Sequence, residues 1–346
     1  METYDLKRIV IESKVPFVKG VFERLGVETL YLPAREITAD AVKDADALIT
    51  RTRTRCDASL LAGSRCRMVA TATIGTDHID LPWCASHGIE VANAPGCNAP
   101  AVAQYVTAAI MNIFSADPEV LGKLTVGIVG VGHVGSIVDA WCRSLGMRTL
   151  LCDPPRAVRE GADGFAGFDR IAAEADVITV HTPLTRTPDP YPTYHLVDEI
   201  FLCSLQRKPL LINSARGPVT DTRALVRAYD SGLIGTLAID CWEGEPQIDR
   251  GLLQRTTIAT PHIAGYSAEG KMRASQAAVD AVARRFGLPQ IELECGRAPG
   301  WPETVTPASV LSSYDPMADT AVLKSEPGAF ESLRDNYALR HEPRRP

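Results

Sequence analysis

The chain has 346 residues, 45% of them hydrophobic and 23% charged, with a formal net charge of -6 and a pI near 5.7. These are values of an ordinary globular protein long enough for two or three domains, and they speak against disorder and against a membrane protein. The acidic balance disfavours a nucleic-acid partner, because phosphate-backbone affinity comes from clustered Lys and Arg.

The N-terminal residues Met1 to Lys7 carry Glu2 and Asp5 and lack the basic-then-apolar order of a secretory signal. No apolar run reaches the roughly 18 residues of a membrane span. The nine Cys, odd in number and with no C-x-x-C pair, fit free thiols in a reducing cytoplasm. Cys84 and His87 come nearest to metal-ligand spacing, but with no second pair nearby they read as a packed Cys and a surface His, so no metal is expected.

From residue 7 to 95 the sequence repeats a βαβ rhythm. Ile9 to Ile11, Ala47 to Thr50, Met68 to Ala72 and Ile89 to Ala92 are strand-like, with helix-length stretches such as Val18 to Leu25 between them. Asn93 to Asn98 is rich in turn formers, and a helix is predicted from Ala99 to about Phe114. Six short apolar runs follow, Val126 to Val129, Leu150 to Cys152, Val177 to Val180, Leu210 to Ile212, Leu237 to Ile239 and Ile258 to Thr260. Runs of this length read as parallel strands buried on both faces, whose ligands bind beyond their carboxyl ends. A helix from about Ser267 to Arg285 comes next, and beyond Gly287 prolines break the sequence until Gly328 to His341, which looks helical. The expected architecture is α/β, with two Rossmann-like doubly wound parallel-sheet domains and a cleft between them. The first would span residues 1–97 and 263–286, the second 98–262, and residues 287–346 would form a small C-terminal segment.

Gly130-Val-Gly132-His133-Val134-Gly135 follows a strand and opens a helix, the context in which G-x-G-x-x-G is a strong dinucleotide signal. The helix N-terminus would offer free N–H groups and a partial positive charge to a pyrophosphate. Asp153 ends the next strand, where a carboxylate accepts from ribose hydroxyls and repels a 2'-phosphate, so NAD is favoured over NADP. Arg156 is the nearby residue able to soften that preference.

Arg216, Glu245 and His262 lie in three connections that open on the same crevice. Oxidising a 2-hydroxy acid needs a cation for the carboxylate, a base for the hydroxyl proton and a hydride acceptor. Arg216 supplies a bidentate fork, His262 an imidazole able to take a proton and return it, Glu245 orients the imidazole and favours its charged form, and a nicotinamide accepts the hydride.

The motifs Gly127 to Gly135, His181-Thr-Pro-Leu184, Ile212 to Gly217, Asp240-Cys-Trp-Glu-Gly-Glu-Pro246 and Pro261-His-Ile-Ala-Gly265 resemble those of the D-2-hydroxyacid dehydrogenases. The resemblance implies an active site between two Rossmann-like domains, a flavodoxin-like substrate domain over 1–97 and 263–286 and an NAD-binding domain over 98–262, with a C-terminal dimerisation segment over 287–346. It assigns Arg216 to substrate binding, Glu245 to support of the histidine and His262 to acid/base work. Thr71 to His78, Ala94 to Asn98, Leu151 to Arg156 and Pro261 to Lys271 narrow it to members acting on a small phosphorylated 2-hydroxy acid. It covers roughly residues 7 to 285 and resumes around Leu323 to Arg340. By this resemblance Thr52, Thr73, Arg216 and Tyr266 contact substrate. Gly130, Gly132, His133, Val134, Gly135, Asp153, Thr182, Ser214, Ala215, Arg216, Asp240 and Gly265 line the NAD site, and the chain is a homodimer. The Pro-rich stretch Arg186 to Thr193 departs from the family pattern, so no cofactor contact is carried over to it. Another dehydrogenase of the family, such as one acting on 3-phosphoglycerate, and an NAD-sensing corepressor on the same fold stay open as alternatives.

Overall fold

A computed structural model describes residues 5–293 and 305–343. The chain divides into two compact units, Met1–Asn98 with Ala268–Arg297, and Ala99–Ser267 with Ala298–Pro346.

The first unit is built on a five-stranded sheet of β1 (Arg8–Glu12), β2 (Glu28–Leu32), β3 (Ala47–Thr50), β4 (Met68–Thr71) and β5 (Glu90–Ala92). All pairings are parallel, in the order β2-β1-β3-β4-β5 that marks flavodoxin-like sheets. β3 and β4 are buried at every position, as strands covered on both faces must be. The long helix Ala268–Phe286 returns to this unit and packs Ala274, Ala278, Val282 and Phe286 with Ile9, Ile11 and Met68. The first crossover corrects the sequence reading. Only a 3₁₀ turn, Glu23–Leu25, forms within the stretch expected to be helical, and the edge strand β2, not foreseen, follows it. Gly20 (φ 80°) within that stretch and Gly26 (φ 77°) just after it are in the left-handed region, which a helix cannot propagate through.

The second unit holds six parallel strands: β6 (Thr125–Val129), β7 (Arg148–Cys152), β8 (Val177–Val180), β9 (Leu210–Asn213), β10 (Thr236–Ile239) and β11 (Ile258–Ala259), in the order β11-β10-β9-β8-β6-β7. The direction of winding reverses between β6 and β8, so the ligand crevice of this sheet lies beyond their carboxyl ends. Helix α1 (Ala99–Ile113) is buried from Ala99 through Met111 and shares a core with Val138 and Trp141 of α2 (His133–Ser144).

In the C-terminal stretch two helices that were not foreseen, α3 (Pro307–Ser313) and α4 (Pro316–Ser325), precede the one expected over Gly328 to His341, which is confined to α5 (Phe330–Asp335). The prolines that read as breakers start helices: Pro307 and Pro316 occupy the first turn, where no intrahelical N–H is needed, behind the capping side chains Thr306 and Asp315. Pro299 and Pro302 lie outside the described residues. These helices join the second unit instead of standing apart as a segment over 287–346. Val310 and Tyr314 enter the core of α1, and Thr320 Oγ1 accepts the Ala259 N–H at 3.0 Å, covering the open edge of β11. The second crossing between units falls at Ser267–Ala268, several residues after the expected boundary.

Candidate active site

Beyond β6 the chain turns at Gly130, whose φ of 87° and closeness to the next loop both require glycine: a Cβ there would lie 2.8 Å from the His181 carbonyl carbon. Gly132 caps α2 with open space where its Cβ would be, His133 and Val134 form the first turn, and Gly135 lies against Gly130. The backbone over Gly132 is thus free to approach a ligand, with the N-terminus of α2 beneath it.

Asp153, at the end of β7, accepts the Val131 N–H through Oδ2 at 2.8 Å and the Arg156 N–H through Oδ1 at 2.9 Å. It therefore fixes the glycine turn and caps the helix Pro154–Glu160, while a carboxylate keeps lone pairs for further donors. Arg156 is already engaged, pairing with Glu160 at 2.7 Å and donating to the Val131 carbonyl at 2.6 Å.

A cavity of about 440 Å³, within the range of small-molecule sites, opens beside Gly130, Gly132, Asp153 and Thr182. The Pro-rich loop supplies part of its wall through Pro190 and Tyr191, so the stretch that departs from the family pattern does face this cavity. Thr182 Oγ1, Ser214 Oγ and His181 Nδ1 are buried without a hydrogen-bond partner. Such atoms are costly unless a ligand or water satisfies them, and their presence around the crevice fits a bound dinucleotide. Burial alone pushes the His181 imidazole down to about 3, so it is neutral at physiological pH.

At the ends of β9, β10 and β11 the structure brings Arg216, Glu245 and His262 onto one side of the sheet. Asn213, fully buried at the end of β9, donates to the Arg216 carbonyl at 3.0 Å and accepts the Ala215 N–H at 3.1 Å, shaping the Ser214 to Gly217 turn. Gly217 sits so close to Trp242 and Glu243 that a Cβ would overlap their backbone. This contact sets the Arg216 turn against the loop that carries Glu245. The Arg216 side chain donates to the Ala215 carbonyl at 2.8 Å and forms no ion pair with any described residue.

His262 has a left-handed backbone, φ 57°, a conformation costing on the order of 1 kcal/mol that persists only under constraint. Three constraints are visible. Its N–H donates to the Asp240 carbonyl at 2.9 Å, the Asp240 carboxylate accepts the N–H groups of Ile263 (2.7 Å) and Ala264 (3.0 Å), and Nδ1 meets Glu245 Oε1 at 2.6 Å. Burial disfavours a charged Glu245, but the hydrogen bond and charge of His262, with the Trp242 N–H, outweigh it and hold the carboxyl below its ordinary range. An ionised Glu245 can only accept, so Nδ1 carries the proton and Nε2, with no partner among the described residues, is left as the basic nitrogen.

Several sequence-predicted residues do work that spacing could not show. Asp240 is 1% exposed and brackets the turn after His262, a task invisible in its strand-end position. Tyr266, beyond Gly265, is half-buried, accepts from Arg334 Nε at 3.2 Å and lies edge-on to Tyr337. Arg340 is buried and donates to the carbonyls of Ile263 (3.0 Å), Tyr266 (3.1 Å), Ala264 and Ala101 (3.2 Å) and to Gln104 Oε1 (2.9 Å). Sequence reasoning missed Arg334 and Arg340 because they lie in the Pro-broken C-terminal stretch.

Thr52 and Thr73 belong to the first unit, beyond β3 and β4. The exposed Thr52 sits in a loop shaped by buried Glu12, which accepts from Arg51 N (2.9 Å), Thr50 Oγ1 (3.2 Å) and Thr54 Oγ1 (3.0 Å). Thr73 Oγ1 is 2.7 Å from Thr71 Oγ1, which in turn meets His78 Nε2 at 3.3 Å. Glu12 was also missed, a lone acid closing an apolar strand.

A dinucleotide turn after β6 and, four strands across the same sheet after β11, a glutamate-held histidine define a hydride-transferring dehydrogenase of the 2-hydroxyacid class. In agreement, residues 102–264 match the model of the D-isomer specific 2-hydroxyacid dehydrogenase NAD binding domain. D-Lactate dehydrogenase of Aquifex aeolicus, solved with NAD and lactic acid, superposes with a TM-score of 0.65 at 25% identity, covering 80% of this chain and 95% of that one. Erythronate-4-phosphate dehydrogenase of Bacteroides thetaiotaomicron is 45% identical over 97% of both chains, and that of Serratia proteamaculans is 42% identical over 97% of this chain and 93% of its own. The chain belongs to the erythronate-4-phosphate dehydrogenase family. Its cofactor is NAD. No helix among the described residues is long and apolar enough to cross a membrane.

Proposed function

We propose that this chain oxidises 4-phospho-D-erythronate to (R)-3-hydroxy-2-oxo-4-phosphooxybutanoate, a step of pyridoxal 5'-phosphate synthesis. The observation that carries the reading is the 2.6 Å pair of His262 and Glu245 on the unit that bears the dinucleotide turn. NAD, when bound, accepts the hydride from C2. Gly130, Gly132, His133, Val134 and Gly135 would hold its pyrophosphate, Asp153 its ribose, and Thr182, Ser214, Ala215, Asp240 and Gly265 the remainder. Arg216 grips the substrate carboxylate and turns the C2–H toward the cofactor. His262 Nε2 removes the hydroxyl proton as the carbonyl forms, and Glu245 stabilises the imidazolium that results. Thr52, Thr73 and Tyr266 are assigned to substrate contact.

Arg216→Lys is expected to lower kcat/KM by roughly ten- to a hundredfold, since a lysine cannot reproduce the bidentate fork and such charge-assisted bonds contribute about 1.5–3 kcal/mol. Steady-state kinetics check this, and wild-type values would remove Arg216 from the site. Asp153→Ala is expected to erode discrimination against NADP, read as the ratio of kcat/KM with the two cofactors. Because Arg156 is tied to Glu160 and Val131, the preference rests on Asp153, and an unaltered ratio would refute that.

We place the enzyme in the cytoplasm and assign it a homodimeric state. Exposed Leu311, Met317, Val322 and Leu339 support the latter, since they concentrate large apolar side chains on the C-terminal stretch. Sedimentation at micromolar concentration tests this, and a monomer would contradict it.

A further inference from the structure

Neither Arg216 nor Arg334, both in the second unit, forms an ion pair with any described residue. Their neighbour Arg340 shows what a structural arginine looks like in this fold: its donors are spread over backbone carbonyls and the Gln104 amide, and its guanidinium lies 4.0 Å from the centre of the Tyr314 ring. Arg334 differs. Its Nε donates to the Tyr266 hydroxyl at 3.2 Å, and neither terminal amine has an acceptor among the described residues.

The placement of Arg334 is enforced from both sides. Phe330 is buried and Leu333 packs on the sheet core, which fixes α5, and Tyr337 meets Tyr266 edge-on with ring centres 6.2 Å apart. Tyr266 is thus clamped between Arg334 and Tyr337, three residues beyond Ile263 in the turn that follows His262. The Arg334 charge is felt by Glu245 and by the buried Cys241 thiol, and Cys241 also feels Arg216. Both cations therefore act on the region occupied by the catalytic pair. A half-buried guanidinium with idle donors carries a desolvation cost that an anion would offset.

We infer that Arg334, together with Tyr266, binds the phosphate of the phosphorylated acid, while Arg216 binds its carboxylate. The C-terminal stretch would then supply a specificity residue to the active site of its own chain. This rests on the reading under Proposed function: a substrate with two anionic groups meets two guanidiniums, one from the β9 turn and one from α5.

The test compares 4-phospho-D-erythronate with D-erythronate, which lacks the phosphate, as substrates of the full-length wild type and of Arg334→Gln. The ratio of kcat/KM for the phosphorylated over the unphosphorylated acid is expected to fall by roughly ten- to a hundredfold in the variant, chiefly through KM. Inorganic phosphate, as a competitive inhibitor, should weaken in parallel, while the pH profile of kcat keeps its wild-type position. NADH binding, followed by fluorescence, verifies that the variant is folded. Arg334→Lys, which keeps the charge but loses the fork, should recover part of the ratio. An unchanged ratio would overturn the inference. So would an equal loss on both acids with a displaced pH profile, which would make Arg334 a positioning residue acting through Glu245. If the wild type itself reduces no NAD with 4-phospho-D-erythronate, the functional reading fails and the inference falls with it. An active wild type with an unaltered variant sinks the inference alone.

Discussion

Replacing His262 by Ala is expected to lower turnover by roughly 10²- to 10⁴-fold while NADH binding stays close to wild type. The separation follows from where the residue stands. The dinucleotide turn is made by β6 and α2, and its walls by residues of the β7 and β8 connections, none of which depends on the imidazole. What the imidazole alone provides is a nitrogen able to take a proton at neutral pH and return it. Its tautomer is fixed by an ionised glutamate at 2.6 Å. Glu245→Gln should therefore lose part of the same factor, because the amide can hold Nδ1 in place without stabilising the imidazolium. Single-turnover reduction of NAD, combined with a fluorescence titration of NADH, measures both quantities. Wild-type turnover in His262→Ala would remove the residue from the chemistry, and a parallel loss of NADH binding would make its role structural.

Arg340→Met is expected to destabilise the protein by on the order of 3 kcal/mol, because it removes the shared donor of several buried acceptors. Four carbonyls and the Gln104 amide oxygen would lose their donor in a place where Arg340 is only 8% exposed. Leaving such groups unsatisfied costs about 1–3 kcal/mol each, a sum that water entering the gap reduces. The lost bonds include those that hold Ile263 to Tyr266, so the variant should also lose turnover through a loosened His262 turn. Denaturant unfolding measures the first effect and kinetics at low temperature the second. A midpoint within error of wild type would show that the C-terminal stretch does not brace the turn.

The sequence was most legible where strands are buried on both faces. Val177 to Val180 and Ala47 to Thr50 match the observed strands residue for residue, because a short run of apolar and β-branched residues bounded by polar ones has few other solutions. The half-exposed β2, Glu-Thr-Leu-Tyr-Leu, carries no such signal and was not seen. The C-terminal helices were misread because proline was taken as a breaker when it occupied first-turn positions, and the capping Thr306 and Asp315 beside them were the cue. At the site, Arg216, Glu245 and His262 stood out as chemistry-bearing residues at strand ends. Of the residues that hold them, Asn213 acts within its own turn, while Asp240 and Arg340 act through long-range hydrogen bonds that no local spacing encodes. Asp240 was legible as a strand-end acid, but its bracketing of the His262 turn depends on Ile263 and Ala264 folding back over it.

The most direct test of the whole reading is NADH formation by the purified protein with NAD and either 4-phospho-D-erythronate or 3-phospho-D-glycerate, followed optically and including single-turnover amounts of enzyme. A clear preference for phosphoerythronate is expected. Preference for phosphoglycerate would keep the roles of Arg216, Glu245 and His262 but contradict the substrate assignment, and failure to reduce NAD with either acid would contradict the enzymatic reading itself.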